Sequence, residues 1–288
     1  MVGDDRGIGT VPDGRTADRP GAPLALLSDL RRQWEWRRIT HPLLALALFG
    51  GAWELFARLA GRMLIPTFTE TLGALWALVA SPMLWQALAV SNLALLVGFG
   101  LSLFTGIPLG LAVGRYRVLE GLLDPYITIL LTVPIAGFIP LLLISLGIGL
   151  EARVAVVYMF AIVVLVANCR VGVRQIDPSL IEMARSFGAS ELQIWRRILL
   201  PGSVPAVMAG VRVSLGHAIT GMVVVELLLV AVGIGRLILQ LQSEFNAAGV
   251  YASIVVVVLQ AVLLISIAEW IGRRAAPWSQ YARGRDDR

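Results

Sequence analysis

Long apolar stretches recur along the chain at about 42–60, 85–113, 119–145, 151–172, 204–230 and 250–271, separated by polar segments that hold most of the arginines. A transmembrane helix needs roughly 20 predominantly apolar residues. The pattern therefore predicts an all-α polytopic membrane protein with about six transmembrane helices. Between the first two runs, residues 70–80 read as a short amphipathic helix on the outer surface, ended by Ser81 and Pro82. The third run is interrupted by Pro134, Gly137 and Pro140. Proline removes a backbone donor and loosens the helix, and broken backbone survives at membrane depth only beside protein or water. In the second run, Gly98, Gly100, Gly106 and Gly110, with Pro108, predict close helix–helix approach.

The arginines give the orientation. Arg115 and Arg117 lie in the second connection, Arg170, Arg174, Arg185, Arg196 and Arg197 in the fourth, and Arg273, Arg274, Arg283 and Arg285 after the last run. The opposite side holds mainly Arg62, Arg153 and Arg236. By the positive-inside rule both termini face the cytoplasm. Arg31, Arg32, Arg37 and Arg38 around Trp34 and Trp36 form an interfacial anchor before the first run. Residues 1–40 are expected to be a disordered basic cytoplasmic tail, 41–275 a transmembrane domain, and 276–288 a second cytoplasmic tail. No leader is expected to be cleaved, because the first long apolar run begins near residue 42.

Composition narrows the chemistry. The chain is 57% hydrophobic and 15% charged, with a mean hydropathy of +0.79, which makes the bilayer its expected solvent. Its net charge is +5, and all 24 basic residues are arginine. These fall between apolar runs rather than on one basic and aromatic face, so a nucleic-acid partner is not expected. Without lysine the chain cannot build a phosphate-binding P-loop, so it is not expected to hydrolyse ATP itself. Cys169 has no partner for an internal disulfide, and the two histidines lack metal-ligand spacing. Neither H-E-x-x-H nor G-x-S-x-G occurs, which argues against an intramembrane enzyme.

Polar residues inside the apolar runs are the candidates for a translocation pathway, because a buried charge in lipid costs about 2.5–3.5 kcal/mol on insertion scales and marks a water-facing position. Arg212, His217 and Glu226 qualify, together with Pro134 and Pro140 in the interrupted run. Arg212 also lies near enough to the cytoplasmic end to snorkel, and a lone histidine such as His217 is more often a satisfied packing residue. Glu226, near the outer end of the fifth run, suits a gating or structural hydrogen bond. Asn168 and Arg170, at the inner end of the fourth, either line an exit or anchor to headgroups.

The most informative segment is the cytoplasmic connection 177–201. Ser179 and Glu182 have capping-box spacing after Pro178, Gly188 suits a left-handed helix end, and Ser190 with Gln193 repeats the capping spacing. A helix, a turn and a second helix are predicted. Leu180, Ile181, Met183, Ala184 and Phe187 give the first of these an apolar side outside the bilayer. A partner's groove, the protein's own helices or the lipid headgroups would each cover it.

The string EMARSFGASELQIWRRILLPGSVPAVMAGVR, beginning at Glu182, resembles the EAA signature of ABC importer permeases: acidic-x-Ala, then Gly188, then Ile198-Leu199-Leu200-Pro201. LLDPYITILLTVPIAGFIPLLLISLGIG and VGIGRLILQLQSEF are similar to stretches of the nitrate, sulfonate and taurine branch, so the resemblance covers roughly residues 45–275. It implies a MetI-like type I permease fold and a permease dimer, a homodimer or a pair with a related second permease, resting on two cytoplasmic ATPase subunits that bind ATP and Mg. It also implies an extracytoplasmic solute-binding protein delivering a small sulfonate, taurine or nitrate type anion. In such permeases the EAA segment is the coupling helix, which places Glu182, Ala184 and Gly188 at the ATPase contact, with Met183 and Phe187 beside them. The chain departs from the pattern at Met183, where the middle alanine is usual, at Leu131, where an arginine is often found, and at Ser145-Leu146-Gly147, in place of Trp-Phe-Gly. The competing expectation is an ion-coupled secondary transporter of a small anion, whose usual inverted repeat is not evident.

Overall fold

The computed structural model describes residues 44–60, 65–228 and 232–275. The tails 1–40 and 276–288, with the Trp34/Trp36 anchor, lie outside them. Among the described residues the secondary structure is helical throughout, with no strand. The chain divides into two units, one up to Phe56 and one from Ala57 onward. Helix α1 covers residues 44–60, and within the first unit Phe49 and Trp53 meet edge to face at 5.9 Å between ring centroids.

The second unit runs α2 (Phe68–Ala80), α3 (Pro82–Arg115), α4 (Arg117–Thr132), a 3-10 turn (Ile135–Phe138), α5 (Ile139–Leu146), α6 (Leu150–Arg174), α7 (Pro178–Ser186), α8 (Glu191–Ile194), a π turn (Trp195–Leu199), α9 (Leu200–Leu228), α10 (Gly233–Ser243) and α11 (Ala247–Ala275). Among the described residues four helical segments are long and apolar enough to cross a membrane: α3, α6, the rod Glu191–Leu228 and α11. A fifth is the pair α4 and α5, bent by 93° at the predicted break. Pro134 caps the 3-10 turn and Pro140 sits in the first turn of α5. Neither position needs the amide that proline lacks. The first predicted run begins at 42, outside the described residues, and is helical over 44–60.

The surface helix predicted at 70–80 starts earlier, at Phe68, because Thr67 and Glu70 form a capping box: Glu70 N donates to Thr67 Oγ1 at 3.2 Å, and Thr67 N to Glu70 Oε2 at 2.9 Å. Ser81 then ends α2 and caps α3, with Pro82 in the first turn.

The core is a three-helix layer in which α3 lies against α6 and α6 against α9. Close approach along α3 comes from Gly98, Gly106, Gly110 and Gly114. A Cβ on Gly110 would stand 2.6 Å from Cys169 Cβ, and one on Gly98 2.8 Å from Val157 Cβ. Gly100, predicted to join this contact, has nothing within 4 Å of a built Cβ. Two residues turn a helix by about 200°, so Gly100 faces away from Gly98. The outward faces of α3 and α11 are apolar and exposed, Phe104 at 79% for example, as expected where lipid is the solvent.

Pro201, the last residue of the predicted connection, lies inside a continuous helical rod, Glu191–Leu228. The π turn explains this. Leu200 N donates to Trp195 O, five residues back, so the helix is widened where the ring of Pro201 would clash with the preceding turn.

Candidate functional site

The connection between α6 and α9 folds as two short helices. Asp177, not Ser179, caps α7: its carboxylate accepts from Ser179 N at 2.9 Å. Pro178 takes the first helical position, which puts Ser179 at the second, two places past the cap. The Ser179 amide and hydroxyl hold the Asp177 carboxyl below the usual carboxylate range. At the other end Gly188 adopts φ +75°. Its N–H donates to Arg185 O at 2.9 Å and Ala189 N to Ala184 O at 3.0 Å, the paired bonds of a Schellman end that requires a left-handed residue. The predicted Ser190–Gln193 capping box is present, with Ser190 N donating to Gln193 Oε1 at 2.8 Å.

This frame splits the apolar residues of α7 between two surfaces. Ile181 and Ala184 pack against the protein's own core. Leu180, Met183 and Phe187 point outward, Phe187 with 85% of its surface exposed. Beside them a hollow of about 310 Å³ is lined by Ala184, Phe187, Gly188, Ala189, Gln193, Ile194, Arg197 and Ile198. Glu182 is exposed on the same short helix.

Ion pairs tie this connection to the one between α3 and α4. Glu191 accepts from Arg185 at 2.7 Å and from Arg115, at the end of α3, at 2.9 Å. Those two guanidiniums, Arg185 first, hold the Glu191 carboxyl below the usual carboxylate range. Trp195 Nε1 donates to Tyr116 OH at 3.4 Å. One helix turn apart, Asp124 pairs with Arg170 and Glu120 with Arg174, joining α4 to the inner end of α6.

A second polar node is fully buried. Glu226 Oε2 accepts from Ser91 Oγ of α3 at 2.8 Å and from Gly235 N at the start of α10 at 3.2 Å, while Ile234 N donates to Ser91 Oγ at 2.9 Å. Free amides at a helix N-terminus favour an anion. Arg153 Nη1 stands 3.7 Å from Glu226 Oε1 and donates to Val90 O at 3.3 Å. A Cβ on Gly235 would lie 2.5 Å from Glu226 Cβ, so only glycine lets α10 come this close.

Residues 106–277 match the sequence family described as "Binding-protein-dependent transport system inner membrane component". The chain belongs to this family. The taurine transport system permease protein TauC of Escherichia coli is 30% identical over 264 residues, covering 88% of this chain and 95% of that protein. The nitrate import permease protein NrtB of Leptolyngbya laminosa is 27% identical over 254 residues, covering 85% and 90%. The riboflavin transport system permease protein RibX of Chloroflexus aurantiacus is 29% identical over 251 residues, covering 86% and 92%. Among solved structures, inward-facing MetNI methionine ABC transporter is similar in fold, with a TM-score of 0.53 at 23% identity, covering 69% of this chain and 96% of that one. This permease is thus the membrane-spanning subunit of an ABC importer, a transport protein of a family whose members work with ATPase subunits and binding proteins. That membership sets aside the secondary-transporter expectation.

The remaining predicted positions in the permease scatter. Arg212 pairs with Glu269 of α11 at 3.1 Å. Asn168 donates to Val164 O of its own helix at 2.8 Å and lies where α6 crosses Gly210. His217 is exposed on α9, and Pro134 and Pro140 frame the bend. Arg153, assigned above to an outside connection, is instead buried in the first turn of α6, where its Nη1 donates to the Val90 carbonyl and faces the Glu226 carboxylate at 3.7 Å. Sequence reasoning missed Ser91, Arg115, Glu191 and the Asn92–Gln260 contact between α3 and α11 at 2.8 Å. One signal was available. Glu120 and Asp124, like Arg170 and Arg174, are spaced i, i+4, which places each pair on one helix face.

Proposed function

We propose that two copies of this permease and two ATPase subunits form an importer for a small anion of the sulfonate, taurine or nitrate kind, handed over by an extracytoplasmic binding protein. Both termini face the cytoplasm, where the ATPases bind ATP and Mg. The observation that carries this reading is α7. It is a capped helix in the connection between α6 and α9, closed by a left-handed Gly188, whose Leu180, Met183 and Phe187 are exposed among the described residues. An apolar helix face of this kind suits a groove on a partner. The names of relatives that transport taurine, aliphatic sulfonates and nitrate support the solute class.

In this mechanism ATP draws the two ATPases together, the seated α7 helices follow, and the membrane helices turn from inward-open to outward-open. ATP acts by binding one arrangement better than the other. Glu182, Met183, Ala184, Phe187 and Gly188 form the contact. The test is affinity purification of the tagged permease in mild detergent, followed by reconstitution in vesicles with labelled taurine, an alkanesulfonate, nitrate and riboflavin. An ATPase recovered at equal stoichiometry and ATP-dependent uptake of one of the anions is the expected result. Recovery of the permease alone after crosslinking rejects the assembly, and uptake of riboflavin only rejects the solute class.

A further inference from the structure

Four arginines within or at the inner ends of the described spans are engaged by the protein's own carboxylates: Arg153 by Glu226, Arg170 by Asp124, Arg174 by Glu120 and Arg212 by Glu269. None of these is free to hold a passing anion. His217 differs. It lies near the middle of α9, is exposed, and has no hydrogen bond or ion pair among the described residues. An ionisable side chain in mid-span that faced lipid would lose its hydration without gaining a partner, so such residues face water-filled cavities or protein.

The neighbours of His217 define a surface. Val213, His217 and Thr220 are all exposed and recur at i, i+4 and i+7, which places them on one stripe of α9. Ser214, Leu215, Ala218 and Ile219 of the same helix are buried in the bundle. Thr220 Oγ1 donates to Gly216 O at 3.0 Å, so its one hydroxyl proton is held within the helix and the imidazole of His217 is the donor this stripe offers. Followed upward, the stripe reaches Val224, where Ala136 and Ile139 of the broken span belong to the same packed cluster. The break thus stands about 10 Å above His217, at 1.5 Å per residue. A broken helix in the membrane needs protein or water around it, the same requirement His217 imposes independently.

We propose that His217, with Thr220 beside it, is a transient binding site for the solute oxyanion in a water-filled passage along this stripe, beneath the α4–α5 break. The proposal rests on the importer reading above for the direction and class of solute. The chemistry suits passage. An imidazole N–H donates one directed hydrogen bond to a sulfonate or nitrate oxygen, whereas a free arginine would grip it through two charge-assisted bonds. A conducting site must bind weakly enough to release.

The test uses the reconstituted complex in a Cys169→Ala background, whose uptake of taurine, an alkanesulfonate or nitrate is measured first. Single cysteines at His217→Cys, Thr220→Cys and Leu259→Cys, the last on the exposed apolar face of α11, are treated with 2-sulfonatoethyl methanethiosulfonate. This membrane-impermeant reagent is itself a sulfonate. Cysteine thiolate, which forms in water and not in lipid, attacks its sulfenyl sulfur to give a mixed disulfide and release methanesulfinate, so positions 217 and 220 are expected to react about tenfold or more faster than 259. The transported anion should slow the reaction at 217. His217→Leu should lower the rate of uptake about 2- to 10-fold, the loss of one hydrogen bond, with His217→Gln closer to the parent. Labelling at 217 as slow as at 259, with and without ATP, overturns the proposal. So does an oxidative crosslink between two copies through 217 in place of labelling, which would put this stripe in a subunit interface. A parent that imports none of the three anions fails the importer reading instead, while the labelling still decides whether water runs along α9.

Discussion

Ser91 and Glu226 lie 135 residues apart in the chain and meet in a 2.8 Å hydrogen bond that is wholly buried. Around this bond α3, α9 and the N-terminus of α10 are joined, with Arg153 of α6 at its edge. Removing the carboxylate leaves the Ser91 hydroxyl and the Gly235 amide without their acceptor and the Arg153 guanidinium without its opposite charge. Glu226→Ala is therefore expected to destabilise the permease by about 3–5 kcal/mol, the usual cost of breaking a buried pair from one side. Glu226→Gln, which keeps an acceptor for Ser91, should cost less. Thermal unfolding of both variants in detergent measures the difference, and equal midpoints for wild type and Glu226→Ala would refute it.

The α3–α6 contact makes a contrasting pair of glycine substitutions informative. Gly110→Ala places a methyl 2.6 Å from Cys169 Cβ and 2.7 Å from Val166 O, and such overpacking costs about 1–3 kcal/mol. Gly100→Ala meets nothing within 4 Å and should be neutral or stabilising by up to about 1 kcal/mol. Unfolding midpoints that move together for the two variants would contradict the packing described here.

Gly188 holds φ +75° with open space around it. A β-branched residue is disfavoured there by its backbone, since the left-handed region costs about 1–2 kcal/mol for a residue with a Cβ. Gly188→Val is expected to disrupt the Schellman end and uncouple solute-stimulated ATP hydrolysis from transport, while Gly188→Asn should retain more coupling. Full stimulation in an assembled Gly188→Val complex argues against this.

Phe187 is 85% exposed, so its truncation removes little of the permease's own packing. Phe187→Ala should leave the unfolding midpoint of the isolated subunit unchanged and reduce recovery of the ATPase in pull-downs. Undiminished recovery excludes Phe187 from the contact.

Glu191 bridges Arg115 and Arg185 near the surface, where such pairs are worth about 0.2–1 kcal/mol. A double-mutant cycle with Arg115→Gln and Glu191→Gln should give a coupling in that range and weaken solute stimulation of the ATPase. Because its two arginines depress the carboxyl, the bridge contributes fully at neutral pH and is lost only as the pH falls below the ordinary carboxylate range. A coupling that disappears already near pH 6 would contradict that sign.

The apolar runs, the interruption at Pro134–Pro140 and the helix–turn–helix of 177–201 were legible in the sequence, because hydrophobic length, missing proline amides and capping residues act over a few neighbouring positions. The Ser190–Gln193 box and the left-handed Gly188 were local for the same reason. The cap of α7 was misplaced by two residues, since Pro178 fixes where the first turn begins. Partners distant in the chain were beyond such reading. Nothing near Glu226 in sequence points to Ser91 or to the amides of Ile234 and Gly235, and Arg153 looked like a loop arginine until α6 and α9 packed together. Local propensity set which segments became helices. Tertiary packing, which brings α3, α6, α9 and α10 within hydrogen-bonding distance, decided which polar groups are paired inside the protein and left His217 facing out.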